Sequence, residues 1–140
     1  MDYLPIEKET ILPDTVNSFD IFFKTGDDMK LFCSAGKEID NDVMEKYEKN
    51  DTQELYILKK DKNYYFLYLE EILGSILNTN EISMEVKAKT AYDTVQNLAE
   101  LLFKSPKAEL IQRYKNTVID IKDFIFRASG GALILFRKEI

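Results

Sequence analysis

Two hydrophobic periods divide the chain into a strand-like first part and a helix-like second part. Between residues 19 and 58, apolar runs are short and separated by turn residues, which is typical of β-strands. The turn sequence Thr25-Gly26-Asp27-Asp28 lies between two such runs and predicts an antiparallel hairpin. A third run, Leu55-Tyr56-Ile57-Leu58, is expected to pair with this hairpin. Residues 43–49 are expected to form a short helix capped by Asp42.

The second part has the 3.6-residue period of helices. Leu69 and Ile76 share one helical face, and the Asn78-Thr79-Asn80 cluster is expected to end that helix. Ser83 is expected to cap a second helix, and Pro106 to stand in the first turn of a third. In both later helices, apolar residues recur at alternating spacings of four and three, the a/d pattern of a bundle or coiled coil. The candidate packing seam consists of Met84, Ala88, Ala91, Val95, Leu98, Leu102, Ile111, Tyr114, Val118, Ile121, Ile125 and Ala128.

These elements predict an α+β fold. A small antiparallel sheet of about three strands, with a short helix, is followed by a helical hairpin and a long exit helix. Residues 1–62 are expected to form a small α+β subdomain, and residues 63–140 a helical subdomain that ends in a linker or signalling helix. The a/d positions can pack within one chain, or the exit helix can pair with its copy in a parallel dimer. The sequence leaves both arrangements open.

Composition excludes several classes of chemistry. The 140 residues contain no histidine and one cysteine, Cys33, which excludes histidine triads, histidine-ligated metals and cysteine-cluster zinc sites. The net charge of −6 disfavours nucleic acid and anionic lipid as partners. No apolar run approaches the roughly 20 residues that cross a bilayer, and the N-terminus lacks a signal-peptide pattern. We therefore expect a cytoplasmic protein without a cofactor, nucleic-acid binding or membrane insertion.

Carboxylates and tyrosines are the remaining candidate functional groups. The Asp40-Asn41-Asp42 run departs from the calcium-loop pattern two residues later, and helix capping explains it better. The acid pairs Asp27-Asp28 and Glu70-Glu71 lack a substrate-orienting motif, so the chain is not expected to be an enzyme. Tyr64 and Tyr68 share a helical face and form the candidate ligand or partner face.

Five short motifs lie along the first half of the chain: Leu4-Pro5-Ile6, Phe19-Asp20-Ile21-Phe22, the Leu31–Ile39 segment, Glu54-Leu55-Tyr56-Ile57 and Tyr65-Phe66-Leu67-Tyr68-Leu69-Glu70. Together they resemble the opening of bacterial HD-GYP-type signalling proteins. In that family this region precedes a metal-dependent HD-type phosphohydrolase domain, often one that hydrolyses cyclic di-GMP. The family's His-Asp dyad and Gly-Tyr-Pro signature are both absent here, so no catalytic residue is carried over.

The resemblance implies a role in bacterial signal transduction, as the pre-catalytic N-terminal domain of such a protein without its HD domain. The expected function is a non-catalytic regulatory and dimerisation domain. It would couple a signal or partner to a C-terminal HD-type cyclic-dinucleotide phosphodiesterase. The expected partners are a second copy or a catalytic domain in the same polypeptide. One alternative is a sensor for a small ligand such as a nucleotide, and another is a stand-alone protein-interaction adaptor.

Overall fold

The computed structural model describes residues 2–12, 15, 17–39 and 54–129. The elements found there show an α+β fold, which confirms the predicted class. Single turns of 3-10 helix occupy Lys8–Thr10 and Lys59–Asp61. The strands are β1 Tyr3–Ile6, β2 Ile21–Thr25, β3 Asp28–Cys33 and β4 Leu55–Leu58, and the α-helices are α1 Lys62–Asn78, α2 Met84–Lys104 and α3 Ala108–Ser129.

The strands form one antiparallel sheet in the order β1-β4-β2-β3. The β2–β3 hairpin and the pairing of β4 with β2 confirm the predicted arrangement of the three apolar runs. Gly26 closes the hairpin with a φ of 60°, a left-handed conformation that residues with a Cβ adopt only with strain. The predicted short helix at 43–49 lies outside the described residues.

Strand β1 makes the sheet four-stranded, whereas the sequence predicted about three strands. Its four residues pair with β4, with Pro5 opposite Tyr56. Proline lacks the backbone N–H that a central strand needs, so a proline in a four-residue run argues against a strand. Because β1 lies at the edge of the sheet, one of its sides needs no ladder partner, and the proline is tolerated there.

The chain consists of two compact units, Met1–Leu69 and Glu70–Ile140, each of which makes most of its contacts within itself. The boundary between the units falls inside α1. The subdomain boundary predicted after residue 62 stays a prediction. In the first unit, the Phe19 ring packs edge-on against Tyr65 and Tyr68, with centroid distances of 5.7 and 5.8 Å. The fully buried side chains of this unit include Ile11, Phe19, Ile21, Ile39, Leu55, Ile57 and Leu69.

Helices α2 and α3 form an antiparallel hairpin in the second unit, and α3 is the helix that the sequence predicted as the long exit helix. The Ser83 hydroxyl accepts a hydrogen bond from the Val86 N–H at 3.2 Å and so caps α2 as expected. Three residues, 105–107, connect the helices, and Lys87 near the start of α2 contacts Phe124 near the end of α3, so the two run antiparallel. Helix α3 begins at Ala108, two residues after Pro106 rather than around it. The continuation of this helix through Gly130-Gly131 lies outside the described residues.

Candidate functional site

The buried face of α2 is mostly polar. Four of its five most buried side chains carry hydrogen-bonding or charged groups, and Leu98 is the apolar one. On α3 the most buried side chain, Thr117, is polar as well. Buried polar groups are favourable only when they find partners, so this composition is unusual for a face between two helices. We call these residues the polar seam: Lys87, Thr90, Thr94, Asn97 and Thr117.

Hydrogen bonding satisfies the polar seam only in part. The Thr94 hydroxyl donates to the Thr90 carbonyl oxygen at 2.7 Å, and the Lys87 ammonium lies 5.6 Å from the centre of the Phe124 ring. In contrast, the Thr90 hydroxyl and the Asn97 side-chain amide nitrogen are buried without a partner among the described residues. An unpaired buried polar group costs about 1–3 kcal/mol. These two unpaired groups therefore oppose the packing of α2 against α3.

The predicted a/d positions lie one residue beyond the polar seam along α2. Ala88 follows Lys87 and Ala91 follows Thr90, so the two stripes are rotated by about 100° around the helix axis. Among the candidate seam residues whose side chains are described, only Leu98 is fully buried. Ala91, Val95, Leu102, Tyr114 and Ile121 are half-buried, while Met84, Ala88, Ile111, Val118 and Ile125 are exposed. The side chain of Ala128 is not among those that the structure describes. That these residues form a packing or dimer seam stays a prediction.

Exposed apolar side chains lie along the same flank of both helices. On α2, Met84 is 58% exposed, and on α3 Ile111 is 42% and Val118 38% exposed. In each helix the apolar stripe is rotated in the same sense from the packed face, and for antiparallel helices this places both stripes on one side of the pair. We define the apolar flank as Met84, Ala88, Ile111 and Val118. Tyr92 and Phe103 are also exposed, but they lie on the side of α2 opposite the polar seam.

Helix α1 contacts α3 away from the apolar flank. The Arg113 guanidinium donates from Nε to Glu70 Oε1 at 2.9 Å and from Nη2 to Oε2 at 2.8 Å, a bidentate ion pair. This hydrogen bonding raises the pKa of Arg113 above its ordinary value. Arg113 and Val118 are five residues apart, which separates them by roughly 140° on a helix. The ion pair therefore leaves the apolar flank uncovered.

Tyr64 and Tyr68, the candidate ligand face, differ in exposure. Tyr64 is half exposed, whereas Tyr68 is buried and its hydroxyl donates to the Thr10 carbonyl at 2.7 Å and accepts from the Leu12 N–H at 3.1 Å. Burial raises the pKa of Tyr68 above its ordinary value of 10.0. The Tyr68 hydroxyl is thus engaged in holding residues 10–12 to α1. A common ligand or partner face of the two rings stays a prediction.

The remaining candidate groups are dispersed. Asp27 and Asp28 are exposed in the hairpin turn, and Glu71 is exposed on α1 while Glu70 pairs with Arg113. The Asp40-Asn41-Asp42 run lies outside the described residues. Within the part of the chain that is described, no cluster of acidic or cysteine side chains has the size needed to hold a metal ion. None of the described helices combines the length and the hydropathy needed to cross a membrane.

Comparison with known proteins yields a weak structural likeness. No family model matches the chain, and no curated protein sequence matches it. Among solved structures, the fold is similar to that of Bd1817, a HDG"Y"P protein from Bdellovibrio bacteriovorus, with a TM-score of 0.49 and 23% sequence identity. The match covers 96% of this chain and 45% of that chain, so this chain spans less than half the length of that protein. A likeness of this size carries no argument about activity.

The polar seam was missed because only apolar positions were followed along the helices. Lys87, Thr90, Thr94 and Asn97 themselves recur at spacings of three, four and three, the same period as the apolar stripe beside them. This second pattern was visible in the sequence. It did not predict burial, because polar residues at helical spacing are usually a solvated face.

Proposed function

We propose that this chain is a non-catalytic regulatory domain. It binds a partner through the apolar flank and couples that binding to an HD-type output domain. The observation that supports this most is the exposure of the apolar flank beside a buried polar seam. Aligned large apolar side chains that remain exposed are typical of a surface that binds another protein.

The offset between the two stripes suggests how a partner changes the domain. A partner that covers the apolar flank buries Val118 and its neighbours, and each fully buried aliphatic side chain stabilises by about 1.5–3 kcal/mol. Rotation of the helices in the same sense would expose Thr90 and Asn97, whose polar groups lack partners when buried. In this proposal the hairpin has a second packing that exposes these groups, and a partner shifts the population between the two packings by its different affinity for each.

The sequence resemblance supplies the class of the output domain. The motifs at Phe19-Asp20-Ile21-Phe22 and Tyr65–Glu70 resemble the region that precedes an HD-type phosphohydrolase domain in HD-GYP-type proteins. On this basis the output domain is a cyclic-dinucleotide phosphodiesterase. Helix α3 would carry the change in packing towards it.

A fusion experiment tests this function. This chain is joined in frame ahead of an HD-GYP phosphodiesterase domain from which the native N-terminal region has been removed, and hydrolysis of cyclic di-GMP is measured. We expect the fused chain to change the hydrolysis rate by about tenfold, which corresponds to a coupling free energy of typical size. Val118→Glu, which places a charge in the apolar flank, is expected to abolish that change.

Asn116→Glu is the matched control, because residue 116 is exposed on α3 and lies about 160° from Val118 around the helix. It should leave the regulated rate as it is in the unmodified fusion. Equal hydrolysis rates for the isolated output domain, the fusion and the Val118→Glu fusion would contradict the proposed function.

A further inference from the structure

We infer that the partner bound through the apolar flank is an amphipathic α-helix with acidic residues along one margin. This helix would lie lengthwise along the side of the α2–α3 hairpin that carries the flank, which we call the open side. The inference rests on the proposed function and specifies the chemistry of the partner. Three observations support it: the burial of side chains on the open side, the small residues that α2 places there, and the charges that border it on α3.

The open side is a shallow groove with an apolar floor. Two helices packed side by side leave such a groove along the line where they meet. On α3, Tyr114 and Ile121 lie about 40–60° nearer to the packed face than Val118 does, and they are half-buried where Val118 is exposed. A groove of this kind accepts the apolar face of one helix. Its floor consists of Ala91, Val95, Leu102, Tyr114 and Ile121.

Helix α2 allows another helix to approach the open side closely. Small side chains at a contact shorten the distance between two packed helix axes towards about 8 Å, and α2 has three alanines on this side: Ala88, Ala91 and Ala99. The intervals of three and four residues that separate Ala88, Ala91 and Val95 favour helices that pack nearly parallel, at about 20°. A helix bound there would therefore run along the hairpin rather than across it.

Two lysines border the open side on α3. Lys115 follows Ile111 by four residues and Lys122 follows Val118 by four, so each lysine lies about 40° further from the packed face than the apolar residue before it. Both lysines are exposed, and neither has an ion-pair partner among the described residues. The acidic residues of α3 lie at least about 140° from Val118 around the helix: Glu109, Asp120 and Asp123.

This positive margin selects an acidic partner. Lys115 and Lys122 are about 10 Å apart along the axis, so a nearly parallel helix would pair with them through two acidic residues seven positions apart. The net charge of −6 does not override this preference. At physiological salt, charges more than about 8 Å away are largely screened, and the lysines beside the groove dominate.

The same features disfavour other occupants of the groove. A second copy would bring either its own lysines or α2 against Lys115 and Lys122, and the exposed charges of α2 lie at least about 80° from Val95. An anionic bilayer would attract the lysines, but a flat surface leaves the half-buried floor uncovered. An amphipathic helix with an acidic margin covers the floor and pairs with the lysines.

Fluorescence anisotropy of two synthetic peptides, titrated with the full chain, tests the inference. Each peptide is a helix of about 18 residues, or roughly 27 Å, with leucines at alternating spacings of three and four. One carries glutamate at two margin positions seven residues apart, and the other carries lysine at the same positions. We expect the glutamate peptide to bind at least about tenfold more tightly, because two ion pairs replace two like-charge contacts. Equal affinities, or binding of neither peptide, would overturn the inference.

Charge reversal on α3 tests where the peptide lies. Lys115→Glu combined with Lys122→Glu should reverse the preference, so that the lysine peptide binds more tightly. Lys104→Glu is the matched control, since it makes the same charge change at an exposed position of α2 about 180° from Val95. A preference for the glutamate peptide that survives the double substitution would overturn the inference.

A charge in the groove tests the apolar contact. Val118→Glu should weaken the binding of both peptides by at least about tenfold, because it places a carboxylate against their leucines. Circular dichroism checks that this variant keeps its helices. Unchanged affinities in a folded Val118→Glu variant would overturn the inference.

Three further measurements test the other occupants, and we expect each to be negative. A dimer in sedimentation velocity that is lost in Val118→Glu would assign the groove to a second copy. Binding to phosphatidylserine vesicles that is lost in the same variant would assign it to a lipid surface. Peptide binding that tightens at least about tenfold in a version ending at Ser129 would assign it to residues 130–140. Any of these results would overturn the inference.

Failure of this inference and failure of the proposed function are distinguishable. A fusion whose regulation is lost in Val118→Glu, in a chain that binds both peptides equally, would exclude the acidic helix while the proposed function stands. A clear preference for the glutamate peptide with an unregulated output domain would establish the binding surface and exclude the coupling.

Discussion

The sheet-containing unit and the α2–α3 hairpin bury their polar groups differently. In the first unit, the buried hydroxyls of Tyr65 and Tyr68 are held by Thr10 and Leu12, within a core of fully buried aliphatic side chains. Asn17 is an exception, because its buried side-chain amide has no partner among the described residues. In the hairpin, threonines and asparagine occupy the buried face while apolar side chains remain exposed.

This difference in burial predicts that the two regions respond differently to substitution. A core of aliphatic residues with satisfied hydroxyls has one favourable arrangement, because any rotation exposes apolar surface and breaks hydrogen bonds. In the hairpin, two buried polar groups lack hydrogen-bond partners, and apolar side chains beside the buried face are exposed. Its packing therefore contributes less free energy of folding than the core of the first unit. We therefore expect substitutions in the two regions to differ in size and even in sign.

The largest effect is expected in the core of the first unit. Leu55 on the central strand β4 is fully buried, so Leu55→Ala should lower the free energy of unfolding by about 2–5 kcal/mol. Met84→Ala, a truncation on the apolar flank, should change the stability of the monomer by less than about 0.5 kcal/mol. Urea unfolding followed by circular dichroism measures both. Equal costs would show that the flank is packed as tightly as the sheet core.

An intermediate effect is expected for the satisfied hydroxyl of Tyr68. Tyr68→Phe removes the group that bonds the Thr10 carbonyl and the Leu12 N–H, and it should cost about 1–3 kcal/mol. Tyr64→Phe is the control, since the Tyr64 ring is half exposed and should tolerate the change within about 0.5 kcal/mol. Similar costs for the two variants would contradict a structural role for the Tyr68 hydroxyl.

The same residue predicts a dependence on alkaline pH. Burial raises the pKa of Tyr68 above 10.0, so the unfolded chain releases this proton first. The stability that the neutral hydroxyl contributes is fully present below pH 10 and is lost as the pH rises through the raised pKa. Unfolding of the wild type and of Tyr68→Phe between pH 8 and about pH 11 should show a shallower decline in the variant.

The smallest effect has the opposite sign and lies in the polar seam. Thr90→Val replaces a buried hydroxyl that has no partner, so it should raise the free energy of unfolding by about 0.5–1 kcal/mol. Thr94→Val is the matched control in the same helix. Its hydroxyl donates to the Thr90 carbonyl, and its removal should lower stability by about 0.5–1 kcal/mol. Thermal unfolding of the pair measures both changes, and destabilisation by Thr90→Val would contradict the account of the seam.

The sequence by itself determined the local elements. Alternating apolar runs with a Gly26 turn specify the β2–β3 hairpin, and Ser83, with the polar residues around 78–80 and 105, specifies where the helices begin and end. These features depend on backbone chemistry and on neighbours close in sequence, so they can be read from the order of residues. Strand β1 could not be predicted in the same way. Pro5 is compatible with a strand only at a sheet edge, and the order in which strands pair depends on residues far apart in the sequence.

Only the tertiary structure decided which face of each long helix is buried. The alternating four-and-three pattern occurs twice on α2, once in apolar and once in polar residues, and hydropathy alone selects the apolar stripe. In the chain as folded, Lys87, Thr90, Thr94 and Asn97 are buried, and the apolar stripe is left at the margin. Helical period determines which residues share a face, but which face is covered depends on what else packs there. That rotation by one residue leaves Met84, Ile111 and Val118 exposed.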